Sequence, residues 1–229
     1  MKKVYTGKES SGKSLAMARE IIKVANRNRR WLKRYNIHRP IFTNMGLSRQ
    51  FKDEFPNQRI QYYHDIKRII KKEVKGIDIF HDEISSDFSS EKRSSLPRDE
   101  GRWLRQCAKS GIHIYSTAQE FHDIHVQFRR LVTEAWRCKK LAGCPRPGPN
   151  LPEVNFIWGV IGLRNTVISP YNELEPEYKG LPRFVFIRKR VTDIFDTNEF
   201  VPKVDKFEVE HLETTCSTCG KKIIKHRER

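Results

Sequence analysis

The sequence lacks any long apolar run and any dense cysteine pattern. Its longest apolar stretch, residues 156–163, is far shorter than the roughly 20 residues of a membrane-spanning helix, so we expect no transmembrane segment. The first residues contain no apolar core of a secretory signal, and we expect no signal peptide. Five cysteines, an odd number without disulfide-like spacing, suit a reducing compartment. Together these absences predict a cytoplasmic protein.

Acidic residues are scarce in the first third of the chain. Residues 1–75 hold 20 Lys and Arg against six Asp and Glu, an excess of 14, whereas the net charge of all 229 residues is +17. A basic block of this size favours a polyanionic partner such as DNA. The alternative is a solvated basic face that only aids solubility.

The sequence does contain a complete phosphate-binding motif. Residues 7–14 match G-x-x-x-x-G-K-[ST], between a strand predicted over 2–6 and a helix predicted from about Lys13 to Tyr35. In such a loop backbone N–H groups surround phosphate oxygens, Lys13 reaches the β- and γ-phosphates, and the Ser14 hydroxyl is a ligand of Mg²⁺. We therefore predict ATP and Mg²⁺ as cofactors. The loop residues predicted to contact the nucleotide are Gly7, Lys8, Glu9, Ser10, Ser11, Gly12, Lys13 and Ser14.

Further strands are predicted over 40–45, 77–82, 112–117 and 131–136. Their alternation with helices indicates an α/β fold with a mostly parallel central sheet flanked by helices. The strand at 77–82 ends in an acidic pair, at the edge of the sheet where ligands of such folds bind. We predict that Asp82 holds Mg²⁺ through a water and that Glu83 polarises the attacking water. Asp78 is the competing carboxylate, but it lies within the strand.

The strand at 112–117 is followed by polar residues that point to the γ-phosphate. We predict that Gln119, or Thr117 just before it, orients the water or senses the phosphate; capping of the next turn is the alternative. Hydrolysis also needs positive charge near the transition state, often from a neighbouring subunit. Arg129 and Arg130 are the favoured arginines, with Arg102 and Arg105 next, and DNA contact or simple surface charge as alternatives.

The predicted first helix carries a row of cations on the arc opposite its apolar positions. The row consists of Arg19, Lys23, Arg27, Arg30 and Arg34, and a second basic segment spans 67–75. Both are candidate DNA-facing surfaces, and solvated helix faces are the alternative.

A Pro/Gly cluster at 143–152 divides the chain into an ATPase core, 1–142, and a β-rich C-terminal extension, 143–229. In the extension we predict hairpin-linked strands over 155–162, 164–169 and 184–190, either added to the main sheet or forming a small satellite. The tail contains Cys216 and Cys219 in a C-x-x-C arrangement. With Cys138 and Cys144, or with His226, this pair predicts a structural zinc site; a metal-free knuckle is the alternative. Cys107 is predicted to be a core residue.

Several segments in order resemble the zonular-occludens-toxin-like ATPases of filamentous phages, and more broadly the FtsK/HerA superfamily of DNA-pumping motors that includes viral packaging ATPases. They are the phosphate loop, Phe-Thr-Asn-Met (42–45), Phe-His-Asp-Glu (80–83), Ser-Thr-Ala-Gln (116–119) and Phe-Arg-Arg-Leu-Val (128–132). The resemblance implies a RecA-like (ASCE) P-loop NTPase fold and a ring of identical subunits. It also implies ATP hydrolysis coupled to movement of double-stranded DNA, in the host cytoplasm or a virion, with a capsid or portal-vertex protein as a partner.

The leading functional hypothesis is thus a DNA translocase that packages a viral genome. Phage toxin-like assembly proteins usually continue into a membrane-spanning helix, which we do not expect here. Three alternatives remain open at this point. They are an assembly or secretion ATPase acting on protein partners, a phosphotransferase, and a nucleotide-gated DNA-binding protein without an enzymatic role.

Overall fold

The computed structural model describes residues 1–9, 11–72, 74–91 and 95–138, together with the backbone of four later strands. The elements in chain order are β1 (Lys2–Thr6), α1 (Lys13–Tyr35), β2 (Ile41–Thr43), α2 (Arg49–Glu54), β3 (Ile60–Tyr62), α3 (Ile66–Lys71), β4 (Asp78–His81), α4 (Arg98–Gln106), β5 (His113–Ala118), α5 (Val126–Arg129), β6 (Glu134–Arg137), β7 (Trp158–Arg164), β8 (Arg183–Ile187), β9 (Glu210–Thr215) and β10 (Lys222–Arg227). Short 3₁₀ turns follow β4 and β5 at Ile84–Ser86 and Phe121–Asp123.

The central sheet has the strand order β3-β2-β4-β5-β1-β6-β7-β8. The first six strands in this order are all parallel, and β7 and β8 continue the sheet in antiparallel pairing. The predicted α/β fold with a mostly parallel sheet is confirmed. Because the six strands are parallel, all of them end at one edge, here called the strand-end edge, and begin at the opposite strand-start edge.

Apolar side chains of each strand alternate between two cores, one on each face of the sheet. In β4, Ile79 packs into one core and Phe80 into the other; in β5, Ile114 and Tyr115 divide in the same way. Helices α1 and α2 cover one face, and α3, α4 and α5 cover the other. The central parallel strands are therefore buried on both faces, which explains the apolar residues at successive positions of β4.

Helix α1 packs on the sheet through a stripe of small and aliphatic side chains from Ala16 to Ala25. It ends where Asn36 adopts a left-handed conformation (φ 53°) and its N–H donates to the Leu32 carbonyl. The predicted bounds of β1 and α1 are confirmed. Helix α3 is shorter than the predicted basic segment, since it ends at Lys71 and Gly76 (φ 65°) turns the chain into β4.

The five cations predicted as a row on α1 do not form a single exposed surface. Arg27 donates to the Asp78 carboxylate at 2.6 Å and stacks over the Trp31 ring. Lys23 pairs with Glu20 at 3.2 Å. The periodicity of the sequence placed these cations on one arc, but it could not show that Asp78, 51 positions away, binds Arg27.

Two predicted strand bounds also differ from the structure. Strand β6 begins at Glu134, three residues later than predicted, because Leu131 and Val132 still belong to the turns that close α5. Strand β7 runs unbroken from Trp158 to Arg164, where two strands were predicted, and it pairs with both β6 and β8.

The remaining strands, β9 and β10, form a separate antiparallel pair. The predicted boundary between residues 142 and 143 stays a prediction, because the residues on both sides of it lie outside the described part. Among the described residues, no helix has both the length and the apolar character needed to cross a membrane.

Candidate nucleotide-binding and hydrolysis site

The loop between β1 and α1 depends on two glycines. Gly7 (φ 145°) and Gly12 (φ 89°) both adopt backbone conformations that side chains disfavour. A Cβ atom at Gly7 would lie 2.5 Å from the Cys138 carbonyl oxygen. The Gly7 N–H donates to the Gln119 carbonyl at 2.9 Å, so the loop begins anchored to the end of β5. Only glycine fits the start of this loop.

Lys13 bends back over the loop that precedes it. Its ammonium group donates to the Gly7 carbonyl at 2.6 Å and to the Lys8 carbonyl at 3.3 Å. Within the described residues, the buried Ser11 hydroxyl has no hydrogen-bond partner, so it is available to an oxygen of a bound group. The cation, this hydroxyl and the N-terminus of α1 suit a phosphate chain. Ser10 lies outside the described residues.

The first turn of α1 meets the end of β4. The Ser14 hydroxyl lies 3.4 Å from both carboxylate oxygens of Asp82. Neighbouring oxygen ligands of an octahedral Mg²⁺ stand about 3 Å apart, given Mg–O distances of about 2.1 Å. A hydroxyl and a carboxylate at this separation therefore suit Mg²⁺, either directly or with one of them acting through a water.

Two polar side chains from neighbouring strands hold the Asp82-Glu83 turn. The Thr117 hydroxyl donates to an Asp82 carboxylate oxygen at 2.5 Å and accepts from the Glu83 N–H at 2.8 Å. The Asn44 side chain accepts from the Asp82 N–H at 2.7 Å and donates to the Asp82 carbonyl at 2.9 Å. Asn44 was missed as a site residue. Its position just after β2 was the available signal, since β2 is the neighbour of β4 and ends at the same edge.

Glu83 adopts a left-handed backbone conformation (φ 59°, ψ 60°), which is costly for a residue other than glycine. Its carboxylate accepts from the Ser85 hydroxyl at 3.3 Å, and the residue is half-buried. Such backbone outliers cluster at functional sites. At Glu83 the left-handed backbone gives the side chain a different direction from that of Asp82. The geometry suits a carboxylate that contacts water beside a metal ligand.

Beneath this turn, His81 is buried at the end of β4, with 1% of its surface exposed. Its Nδ1 lies 2.8 Å from the Tyr63 hydroxyl, and burial lowers the pKa of the ring to about 4. His81 is therefore neutral near pH 7. It belongs to the packing that supports the acidic turn and adds no positive charge to it.

No protein-family model matches the sequence, and no curated protein matches it. The structure is similar to the N-terminal domain of zonular occludens toxin from Neisseria meningitidis, with a TM-score of 0.52, 18% sequence identity, and coverage of 85% of this chain and 98% of that one.

The structure is also similar, at a TM-score of 0.42 and 14% identity, to the genome packaging NTPase B204 from Sulfolobus turreted icosahedral virus 2 in complex with ATP-gammaS. This match covers 65% of this chain and 76% of that one. The chain has a P-loop NTPase fold. At these sequence identities, the similarity is evidence for the fold alone. In this fold the 7–14 loop and the Asp82-Glu83 turn lie at one edge of the sheet.

The predicted arginines lie on or directly after two helices, α4 and α5. Helix α5 leads towards the start of β6, where the Thr133 N–H donates to the Lys2 carbonyl at 2.8 Å. Arg129 and Arg130 lie at the end of α5, before this contact. Arg102 and Arg105 are exposed on α4. Gln119 is exposed at the strand-end edge, beside the loop. The catalytic roles of these residues stay predictions.

Cys138, one of the four predicted zinc ligands, is buried between the phosphate loop and α1 in the core. The other three, Cys144, Cys216 and Cys219, lie outside the described residues. His226 lies on β10, where only the backbone is described. In the described part of the chain, no group of three or more potential ligand side chains could hold a metal ion. Zinc binding stays a prediction.

We expect Cys107 and Cys138 to resist alkylation in the folded protein. Burial raises the pKa of the Cys107 thiol to about 11 and that of Cys138 to about 12, so both stay protonated near pH 8. The thiolate is the reactive form. Iodoacetamide labelling followed by peptide mass spectrometry should modify both cysteines only after denaturation. Rapid labelling of Cys138 in the folded protein would contradict its place in the core.

Proposed function

We propose that this chain hydrolyses ATP and couples hydrolysis to the movement of double-stranded DNA, as a viral genome-packaging ATPase. One observation carries the proposal. Lys13, Ser14, Asp82 and Glu83, from two separate segments, converge at the strand-end edge, and Thr117 and Asn44 fix the turn that bears the two carboxylates. This set matches the chemistry of phosphoryl transfer to water.

Each residue has a distinct role in this proposal. The loop N–H groups and Lys13 bind the β- and γ-phosphates of ATP, and Ser14 and Asp82 hold Mg²⁺. The metal ion would neutralise charge that develops on the phosphate oxygens. Glu83 accepts a proton from the attacking water, and Gln119 or Thr117 orients that water. In a ring of identical subunits, Arg129 or Arg130 reaches the site of the neighbouring subunit.

DNA as the moving partner is supported by the basic first third of the chain and by the ordered motifs described above. Sequence-independent phosphate contacts suit a translocase, which must hold every stretch of DNA in turn. A capsid or portal-vertex protein is the corresponding partner for a packaging motor. The similarity to the toxin domain, at a TM-score of 0.52, supports the fold on which these roles rest.

ATP turnover with and without double-stranded DNA at low salt tests this function. We expect DNA to stimulate turnover, and Lys13→Ala to lose nucleotide binding and turnover, because the variant removes the cation that faces the phosphates. Lys52→Ala is a matched control, since this exposed lysine lies on α2 and stacks over Tyr62. Unchanged turnover in Lys13→Ala would refute the nucleotide site. A lack of both DNA binding and DNA stimulation in the wild type would refute the translocase.

A further inference from the structure

The end of α1 reaches well beyond the sheet. At 1.5 Å per residue its 23 residues span about 34 Å, whereas the five residues of β1 span about 17 Å. Helix α1 starts at the strand-end edge, and Arg27 contacts Asp78 at the first position of β4. The residues after Arg27 therefore project past the strand-start edge, opposite the nucleotide site.

Other basic segments meet at the same edge, because the helices run antiparallel to the strands. Helix α3 ends at Lys71 before β4 starts, and α4 ends at Gln106, with Lys109 in the turn that leads to β5. The two loops touch: the Gly76 N–H donates to the Ser110 carbonyl at 2.8 Å. We call this surface the basic edge; its members are the exposed cations Arg30, Lys33, Arg34, Lys71, Arg105 and Lys109.

Among the described residues, little negative charge offsets the basic edge. From residue 21 to residue 52 the chain has nine Lys and Arg and no Asp or Glu. Asp78, the carboxylate at the start of β4, is fully buried and bound by Arg27 and Arg39. Asp53, near the end of α2, is an exposed acidic residue at this edge. The six cations of the basic edge outnumber it.

An aromatic side chain stands among these cations. Tyr35, the last residue of α1, is 54% exposed and follows Arg34 directly. Cations beside an exposed aromatic ring suit nucleic acids, whose phosphates take the charge and whose bases can stack. A lipid surface is less well matched, because Met1 and Tyr35 are the exposed large apolar side chains among the described residues. Membrane-bound helices insert a broad apolar face.

We propose that the basic edge binds the phosphate backbone of DNA, on the side of the subunit opposite the ATP site. This inference rests on the proposed function and specifies the surface that it uses. Helix α1 then connects the two sites as one rigid element, from the phosphate loop at Lys13 to the DNA at Arg30 and Arg34. Strand β4 connects them in parallel, from Asp82 near Ser14 to Asp78 bound by Arg27.

Paired charge-removal variants of the full chain test the surface. Arg30→Gln/Arg34→Gln removes two exposed cations one turn apart on α1. Arg49→Gln/Arg98→Gln removes two exposed cations at the starts of α2 and α4, near the strand-end edge. Binding of a random-sequence duplex is measured by fluorescence anisotropy across a salt series. We expect the first variant to bind at least about tenfold more weakly at low salt, with a salt slope smaller by about 1 to 2.

The control should bind like the wild type, and basal ATP turnover without DNA should be unchanged in both variants. Lys71→Gln/Lys109→Gln should weaken binding in the same direction as the α1 variant. Equal DNA affinity in the α1 variant and the control would overturn the proposed surface. Binding of the wild type to phosphatidylserine vesicles but not to DNA would also overturn it. Intact DNA binding at this edge without DNA-stimulated turnover would instead refute the translocase and leave the surface in place.

Discussion

Replacing Glu83 with glutamine is expected to abolish ATP turnover while nucleotide affinity changes by less than about twofold. Glutamine keeps the size of the side chain and can still accept from the Ser85 hydroxyl, but it cannot take a proton from water. Loss of a positioned general base typically lowers the rate by about 10²- to 10⁴-fold. Turnover measured by phosphate release, and affinity measured with a fluorescent ATP analogue, separate the two effects.

Glu91→Gln provides the matched control, because Glu91 is an exposed carboxylate in the loop after the acidic turn. Its turnover should equal that of the wild type. If Glu83→Gln turned over ATP at the wild-type rate, the carboxylate would have no role as a base and the proposed mechanism of hydrolysis would be refuted. If it lost nucleotide binding as well, Glu83 would be part of the binding site and not the base.

Much of this site could be predicted from the sequence because its parts are local. The phosphate loop needs two glycines, a lysine and a serine at fixed spacing, and all of them lie within eight residues. The acidic pair could be found because a largely apolar predicted strand ends in Asp82 and is followed by Glu83. The parallel sheet followed from alternating strands and helices, and six parallel strands confirm it.

The contacts that hold the site together could not be predicted, because they join segments far apart in the chain. Asn44 contacts Asp82 across 38 positions, and its place just after β2 indicates the edge of the sheet but not the partner. Strand β3 was also missed, since Ile60–Tyr62 is three residues long and only half-buried at the edge of the sheet. In the sequence, Asp78 competes with Asp82 as the metal ligand and is disfavoured because it lies within the strand. The structure gives it another role.

Asp78→Ala is expected to lower the free energy of unfolding by about 3–5 kcal/mol. The fully buried carboxylate accepts from Arg27 at 2.6 Å and from Arg39 at 2.7 Å, and it lies 3.1 Å from His113 Nδ1. Its removal leaves the largely buried Arg39 guanidinium without its charge partner, which is costly in a low-dielectric core. Urea unfolding followed by circular dichroism measures the loss. Asp53→Ala, at an exposed site on α2, should change stability by less than about 0.5 kcal/mol.

The loss of stability in Asp78→Ala should also depend on pH. The direction of this dependence identifies the ion pairs of Asp78 as its cause. Burial alone would raise the pKa of Asp78, but the His113 hydrogen bond and the charges of Arg39 and Arg27 hold it well below the ordinary value of 3.8. A carboxylate with a depressed pKa stabilises the fold above its unfolded pKa, and this contribution is lost as the pH falls through the folded pKa. The difference between wild type and Asp78→Ala should thus be constant from about pH 8 to 5 and shrink below about pH 4. A difference that persisted unchanged to the lowest pH would assign the loss to packing, and the link between α1 and β4 would not depend on charge.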